Sequence, residues 1–192
     1  MTAAWLSTLT PVAEAVSSPT ANFGAGEGIS PMELTGPCPV PDGFRLHIRQ
    51  GFCIAAPESW TVYNVDGGVA SALKTTPGQA ISLKPDWVET TGECHLMIYI
   101  ASEGSAGLHL ERRYTEFLAR SDMEQVSRVQ IQSLGAMALP GFNWVTMGGD
   151  SGGVFATLLA PNRLLHISYG GSQCLLEDWL PVIETLRFDQ GS

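Results

Sequence analysis

The stretch that decides the fold runs from Phe142 to Gly170, "FNWVTMGGDSGGVFATLLAPNRLLHISYG". Three segments of it, "FNWVTMG", "GVFATLLA" and "RLLHISYG", carry the β-branched and aromatic side chains of strands. Between the first two lies "GDSG", Gly149 to Gly152. Between the last two lies "APNR", Ala160 to Arg163. Asp, Asn and Gly supply the positive φ and local side-chain bonds that tight turns need, so Asp150 and Ser151 are read as turn residues. Strands joined by tight turns pair antiparallel. The three therefore form a meander that buries Trp144, Phe155, Leu158, Leu164 and Ile167.

Upstream, "VSRVQIQSLGAMALPG" continues the strand pattern. Before it the period changes: Leu110, Tyr114, Phe117 and Leu118 fall on one stripe of a helix. Glu111, Arg112, Arg113, Glu116 and Arg120 cover the opposite, solvated face. Earlier still, "FRLHIRQ" alternates Phe44, Leu46 and Ile48 against Arg45, His47 and Arg49, which predicts a half-buried strand with its apolar side inward. In "GFCIAAPESWTV", Pro57 forces a bend between two short strands. "GQAISLKPDWV" is another strand candidate, and "CHLMIYIAS", apolar on both faces, predicts a central one. Downstream, Leu176, Trp179, Leu180, Ile183 and Leu186 form a second helical stripe. With Asp178 as N-cap, Pro181 falls at the third helical position, where it loses no hydrogen bond. The expected class is α+β, a central antiparallel β-sheet with helices packed on it.

The chain has 192 residues, 44% hydrophobic and only 15% charged, which is a core-forming composition. Net charge is −9, from 19 acids and 10 bases, with no basic patch. That disfavours nucleic acid and anionic lipid as partners. No run of 18 apolar residues exists, so no transmembrane helix is expected. Residues 1–36 contain no Lys or Arg and are broken by Pro and Gly. They read as a linker following either a signal-peptide remnant or a plain tail, with residues 37–192 as one domain. Gly24, Gly26 and Gly28 lack the preceding strand and following helix of a phosphate loop.

Four cysteines, Cys38, Cys53, Cys94 and Cys174, have neither C-x-x-C spacing nor clustered His, which disfavours zinc. Each lies at the end of an expected element. Cys38 can fold back through Pro39–Pro41 to the strand start at Cys53. Cys94 opens the central strand, and Cys174 precedes the last helix. The expected bridges are Cys38–Cys53 and Cys94–Cys174, which imply an oxidising compartment.

Gly149 to Gly153, "GDSGG", resembles the nucleophile peptide of chymotrypsin-like serine proteases, and "HISYGGSQC" resembles the segment downstream of it. That resemblance implies Ser151 as nucleophile. It also requires an early His, with Ala before it and Cys after, at the end of a strand. His47 sits mid-strand between Leu46 and Ile48, and His95 and His109 have no such context. Val154 stands where the family has Pro. The turn reading is preferred, with a Ser151 hydrolase as the alternative. His95 and His166 are expected to face each other across the sheet as satisfied strand histidines rather than as a metal pair.

"GFCIAAPESWTV", Gly51 to Val62, and "LLHISYGG" followed by a helix and "VIETLRF", Val182 to Phe188, resemble the opening and closing segments of the PsbP-like superfamily. The resemblance spans about residues 44–188. It implies a PsbP-like α/β/α sandwich and a non-catalytic binding or assembly module, and it carries over no catalytic, cofactor-binding or metal residue. Cys38 follows "LTGP" without the apolar segment of a lipobox. The expected function is that of a periplasmic, envelope-associated or secreted module binding another protein. A small-ligand pocket lined by Trp60, Trp87, Trp144 and Trp179 is a third reading.

Overall fold

The computed structural model describes residues 36–89, 94–134, 137–172 and 174–188. Apart from Gly36, the tail expected over residues 1–36, with its glycine run, lies outside them. Ten strands and three helices follow in order: β1 (Phe44–Arg49), β2 (Phe52–Pro57), β3 (Thr61–Tyr63), α1 (Gly67–Ala72), β4 (Ala80–Lys84), β5 (His95–Ala101), α2 (Ala106–Leu118), β6 (Met123–Leu134), β7 (Met137–Thr146), β8 (Asp150–Ala160), β9 (Arg163–Ser172), α3 (Leu176–Ile183) and β10 (Arg187–Phe188). A 3-10 turn at Pro77–Gln79 leads into β4.

The strands divide into two antiparallel sheets. Seven pair in the order β3-β4-β5-β9-β8-β7-β6, and three in the order β1-β2-β10. The fold is α+β, with the meander β6–β9 as its larger half. Pro57 ends β2 and sends the chain from the small sheet to the large one.

Strand alternation divides the large sheet into two apolar faces. On one, Leu96, Ile98 and Ile100 of β5 pair with Ile81, Leu83, Leu165 and Ile167. They pack against Phe52 and Ile54 of the small sheet and Trp179 and Ile183 of α3. On the other, Tyr99, Ala101, Phe142, Val154 and Leu164 meet Leu110, Tyr114 and Phe117 of α2. Helices thus lie on both faces, and α3 shares its face with the small sheet. Each large side chain fully buried here contributes about 1.5–3 kcal/mol.

Four expectations need correction. First, β1 is as expected at its start, where Phe44 packs on the core and Arg45 is exposed, but faces the other way beyond it: Ile48 is 70% exposed and Leu46 41%, while His47 and Arg49 are half-buried. Directly paired residues share a face. His47 lies opposite Ile54 and Arg49 opposite Phe52, so the fully buried residues of β2 turn the polar side of β1 toward the core. Second, α3 begins at Leu176, with Leu175 rather than Asp178 at its N-cap and no side-chain cap. Pro181 is therefore an interior helical residue that cannot donate to the Glu177 carbonyl. Burial of Trp179, Val182 and Ile183 outweighs that loss. Third, Leu118 at the end of α2 is exposed. Fourth, the turn before β8 is Met147 to Gly149, with Gly149 at φ +87°, and Asp150 and Ser151 already belong to β8. The Asn162 turn is as expected, at φ +59°.

Candidate functional site

Ser151 sits near the start of β8 opposite Gly171 of β9. Its Oγ donates to the Cys174 carbonyl at 2.9 Å, which ties the sheet to the segment before α3. The strand histidine nearest in register is His95, which pairs with Gly170 opposite Gly152; it lies two strands over, roughly 10 Å away, and on the other face of the sheet from Ser151. The turn is closed by Thr146, whose Oγ accepts from the Asp150 N–H at 3.0 Å. Packing explains the glycine pair. A Cβ on Gly152 would stand 2.5 Å from the Trp144 ring, so Gly152 lets Trp144 lie across the strand. The motif is built into a strand and its packing, not into a Ser–His pair.

The histidines meet elsewhere. His95 pairs with Gly170, while His166 lies opposite Tyr99, four residues along β5, so the two do not face each other. His166 instead contacts His109 of α2, whose Nε2 is 2.9 Å from His166 Nδ1. His109 Nδ1 is 2.6 Å from Glu103. A carboxylate only accepts, so Nδ1 carries the His109 proton, Nε2 accepts, and His166 donates from Nδ1. The 3.4 Å approach of Arg112 to that Nδ1 is then not a hydrogen bond. The chain of bonds runs from His166 through His109 to Glu103.

Local sequence places each member. Glu103 lies between β5 and α2, where the Ser105 Oγ caps the helix by accepting from the Leu108 N–H. Glu103 also accepts from Lys74 at 3.0 Å and Arg112 at 3.1 Å. Lys74 follows α1 in the left-handed region, φ 55°, a position that glycine usually fills. Burial acts to raise the Glu103 pKa, but the bonds from Lys74, His109 and Arg112 outweigh it and hold the carboxyl at about 2. Burial lowers His109, with help from Arg112 and Arg113, against the opposing pull of Glu103. Burial pushes His166 well down, aided by His109 and Arg113. Tyr99, stacked on His166 with ring centroids 4.4 Å apart, is pushed up to about 12, chiefly by burial. An open cleft of about 410 Å³ between Lys74, the Ser102–Ser105 connection and Arg112 reaches Glu103. At neutral pH the cluster is a saturated carboxylate and two neutral imidazoles linking α1, α2 and β9. It presents no free base or nucleophile to the cleft.

The cysteines join as Cys38–Cys53 and Cys94–Cys174, with Cα separations of 5.9 and 5.2 Å. Of the four tryptophans expected to line a pocket, Trp179 is fully buried with Trp60 edge-on to it at 5.1 Å. Trp144 packs on Phe117, and Trp87 is exposed. They fill core and surface rather than line one pocket.

The remaining feature is the outer side of β1, an edge strand of the small sheet. Leu46 and Ile48 project outward there, and the Cys38–Cys53 bridge lies beside them, since Ile48 pairs with Cys53. Among the described residues, neither Arg45 nor Arg49 has a carboxylate within ion-pair distance. The sequence pattern pointed to this strand but turned Leu46 and Ile48 inward, where the structure turns them out.

No family model matches the sequence, and no curated protein matches it. Among solved structures, the chain is similar to a protein of Bacteroides thetaiotaomicron VPI-5482 at 12% identity and a TM-score of 0.48, over 77% of this chain and 48% of that one. It therefore spans about half the length of that protein. It is also similar to the cyanobacterial PsbP (CyanoP) of Synechocystis sp. PCC 6803, at 11% identity and a TM-score of 0.43, over 85% of this chain and 95% of that one. These are distant likenesses of fold, and the α+β assignment rests on the strand order itself.

Proposed function

We propose that this protein is a non-catalytic module of an oxidising compartment, exported to the periplasm, the cell envelope or the medium, that binds another protein through the outer side of β1. The observation that carries the reading is the pair Leu46 and Ile48, apolar and exposed on an edge strand. A soluble chain usually turns such a strand side inward or guards it with charge. Two disulfides support export, because such bonds persist outside the reducing cytosol. The net charge of −9 favours a protein partner over nucleic acid.

The test compares the full chain with its Leu46→Glu/Ile48→Glu variant in affinity capture from envelope extracts of the native host. The expected result is a defined protein retained by the first and lost by the second, with both melting alike. Equal retention by both, or no retained protein, would overturn the reading.

A further inference from the structure

We propose that the edge of β1, unpaired among the described residues, takes an extended segment of the partner as an added strand, and that this segment alternates carboxylate and apolar side chains. The inference rests on the protein-binding reading above and supplies the partner's chemistry.

The backbone provides the first argument. The Glu58 N–H donates to the Gly43 carbonyl at 2.9 Å, which fixes the phase of the β1–β2 ladder. In an antiparallel pair the bonded and non-bonded positions alternate. With Arg45 opposite Ala56, His47 opposite Ile54 and Arg49 opposite Phe52 as the bonded positions, the N–H and C=O of Leu46 and Ile48 point away from β2. The edge closes at its two ends, where the Phe44 N–H donates to the Pro41 carbonyl at 3.0 Å and the Gln50 N–H to the Gly78 carbonyl at 2.7 Å. The Ile48 carbonyl accepts from the guanidinium of Arg49 at 3.0 Å, an exposed contact that an incoming N–H can replace. Such an edge is a ready template for another strand.

The side chains say which strand. One side of β1 offers Leu46 and Ile48, and the other Arg45, His47 and Arg49. Residues set directly across from these share their faces. Apolar side chains would therefore sit beside Leu46 and Ile48, and carboxylates beside the exposed Arg45 and beside Arg49, whose guanidinium donates to the Ala80 carbonyl and Asn64 Oδ1; neither arginine has an acidic partner among the described residues. A second copy of β1 is a poor occupant, because its arginines and histidine would face the same groups across the pair.

The experiment measures fluorescence anisotropy of a labelled octapeptide of alternating glutamate and valine, titrated with the full chain, against its lysine/valine counterpart. The glutamate peptide should bind and weaken with added salt, and the lysine peptide should not bind. Ile48→Pro removes an outward N–H without breaking the ladder to β2, so the fold survives, as a thermal melt checks. It should weaken binding about tenfold. Arg45→Glu should lower affinity for the glutamate peptide. Absence of binding by the glutamate peptide, equal binding of both peptides, or an unchanged affinity in Ile48→Pro overturns the proposal. So does concentration-dependent dimerisation abolished by Ile48→Pro, which would assign the edge to a second copy. If the peptides fail while Leu46→Glu/Ile48→Glu still abolishes partner capture, the binding face stands and strand addition falls.

Discussion

Gly152 and Ser151 are adjacent and have different jobs. Gly152→Ala would drive a Cβ into the Trp144 ring, and overpacking of this kind costs about 1–3 kcal/mol, read as a lower midpoint in urea unfolding. Ser151→Ala removes one hydrogen bond to the Cys174 carbonyl and should cost about 1 kcal/mol. A fluorophosphonate probe should label neither Ser151→Ala nor the parent chain; labelling of the parent that disappears in the variant would restore the hydrolase reading. The buried histidines set a pH dependence. His166 has its pKa lowered on folding, so between that value and its ordinary 6.5 the unfolded chain binds a proton that the folded one refuses. Stability therefore falls as pH drops below about 6.5, by up to about 1.4 kcal/mol per pH unit for each such proton. Glu103, held at about 2, adds a second loss as pH falls from its ordinary 4.5 toward 2. His166→Asn keeps a side-chain N–H for His109 and removes the titrating ring. Its melting temperature should fall less steeply between pH 7 and 5 than the parent's; equal slopes would contradict the assignment.

At the scale of elements, α3 carries a testable misfit. Pro181 is exposed within the helix and cannot donate to the carbonyl four residues back. Pro181→Ala should stabilise the protein by about 1 kcal/mol or more, seen as a higher melting temperature. The Cys94–Cys174 bridge fixes the same region by closing a separation of 80 residues, against 15 for Cys38–Cys53. In the loop-entropy picture, replacing Cys94 and Cys174 with alanine should cost about 4.5 kcal/mol and replacing Cys38 and Cys53 about 3. A larger loss from the shorter loop would point to strain or packing instead. The element pattern was largely legible: the apolar periods of 110–117 and 176–186, the Pro-Asn turn at 161–162 and the doubly apolar run at 95–101 all mark what forms there. The start of α3 was not, because burial of Trp179 overrides the local preference for an Asp cap. The face of β1 was not either, because it is set by β2 and not by its own alternation.

Across the whole molecule, contacts far apart in sequence decide what the residue pattern leaves open. His109 and His166 lie 57 residues apart and meet only because α2 packs on the sheet beside β9; no spacing within either segment announces the pair. The Cys pairings were legible because each cysteine stands at an element end. The separate three-stranded sheet was not legible, since β10 is two residues long and pairs with a strand more than a hundred positions earlier. That sheet turns two apolar side chains of an acidic chain to solvent, and the central claim is that a partner protein covers them. The most direct measurement places a photo-crosslinking amino acid at Ile48, and at the exposed Leu118 as a control, in the full chain expressed in its native host. The account predicts a discrete protein crosslinked from position 48 and none from position 118. Absence of a product at 48, or the same products from both positions, would contradict it.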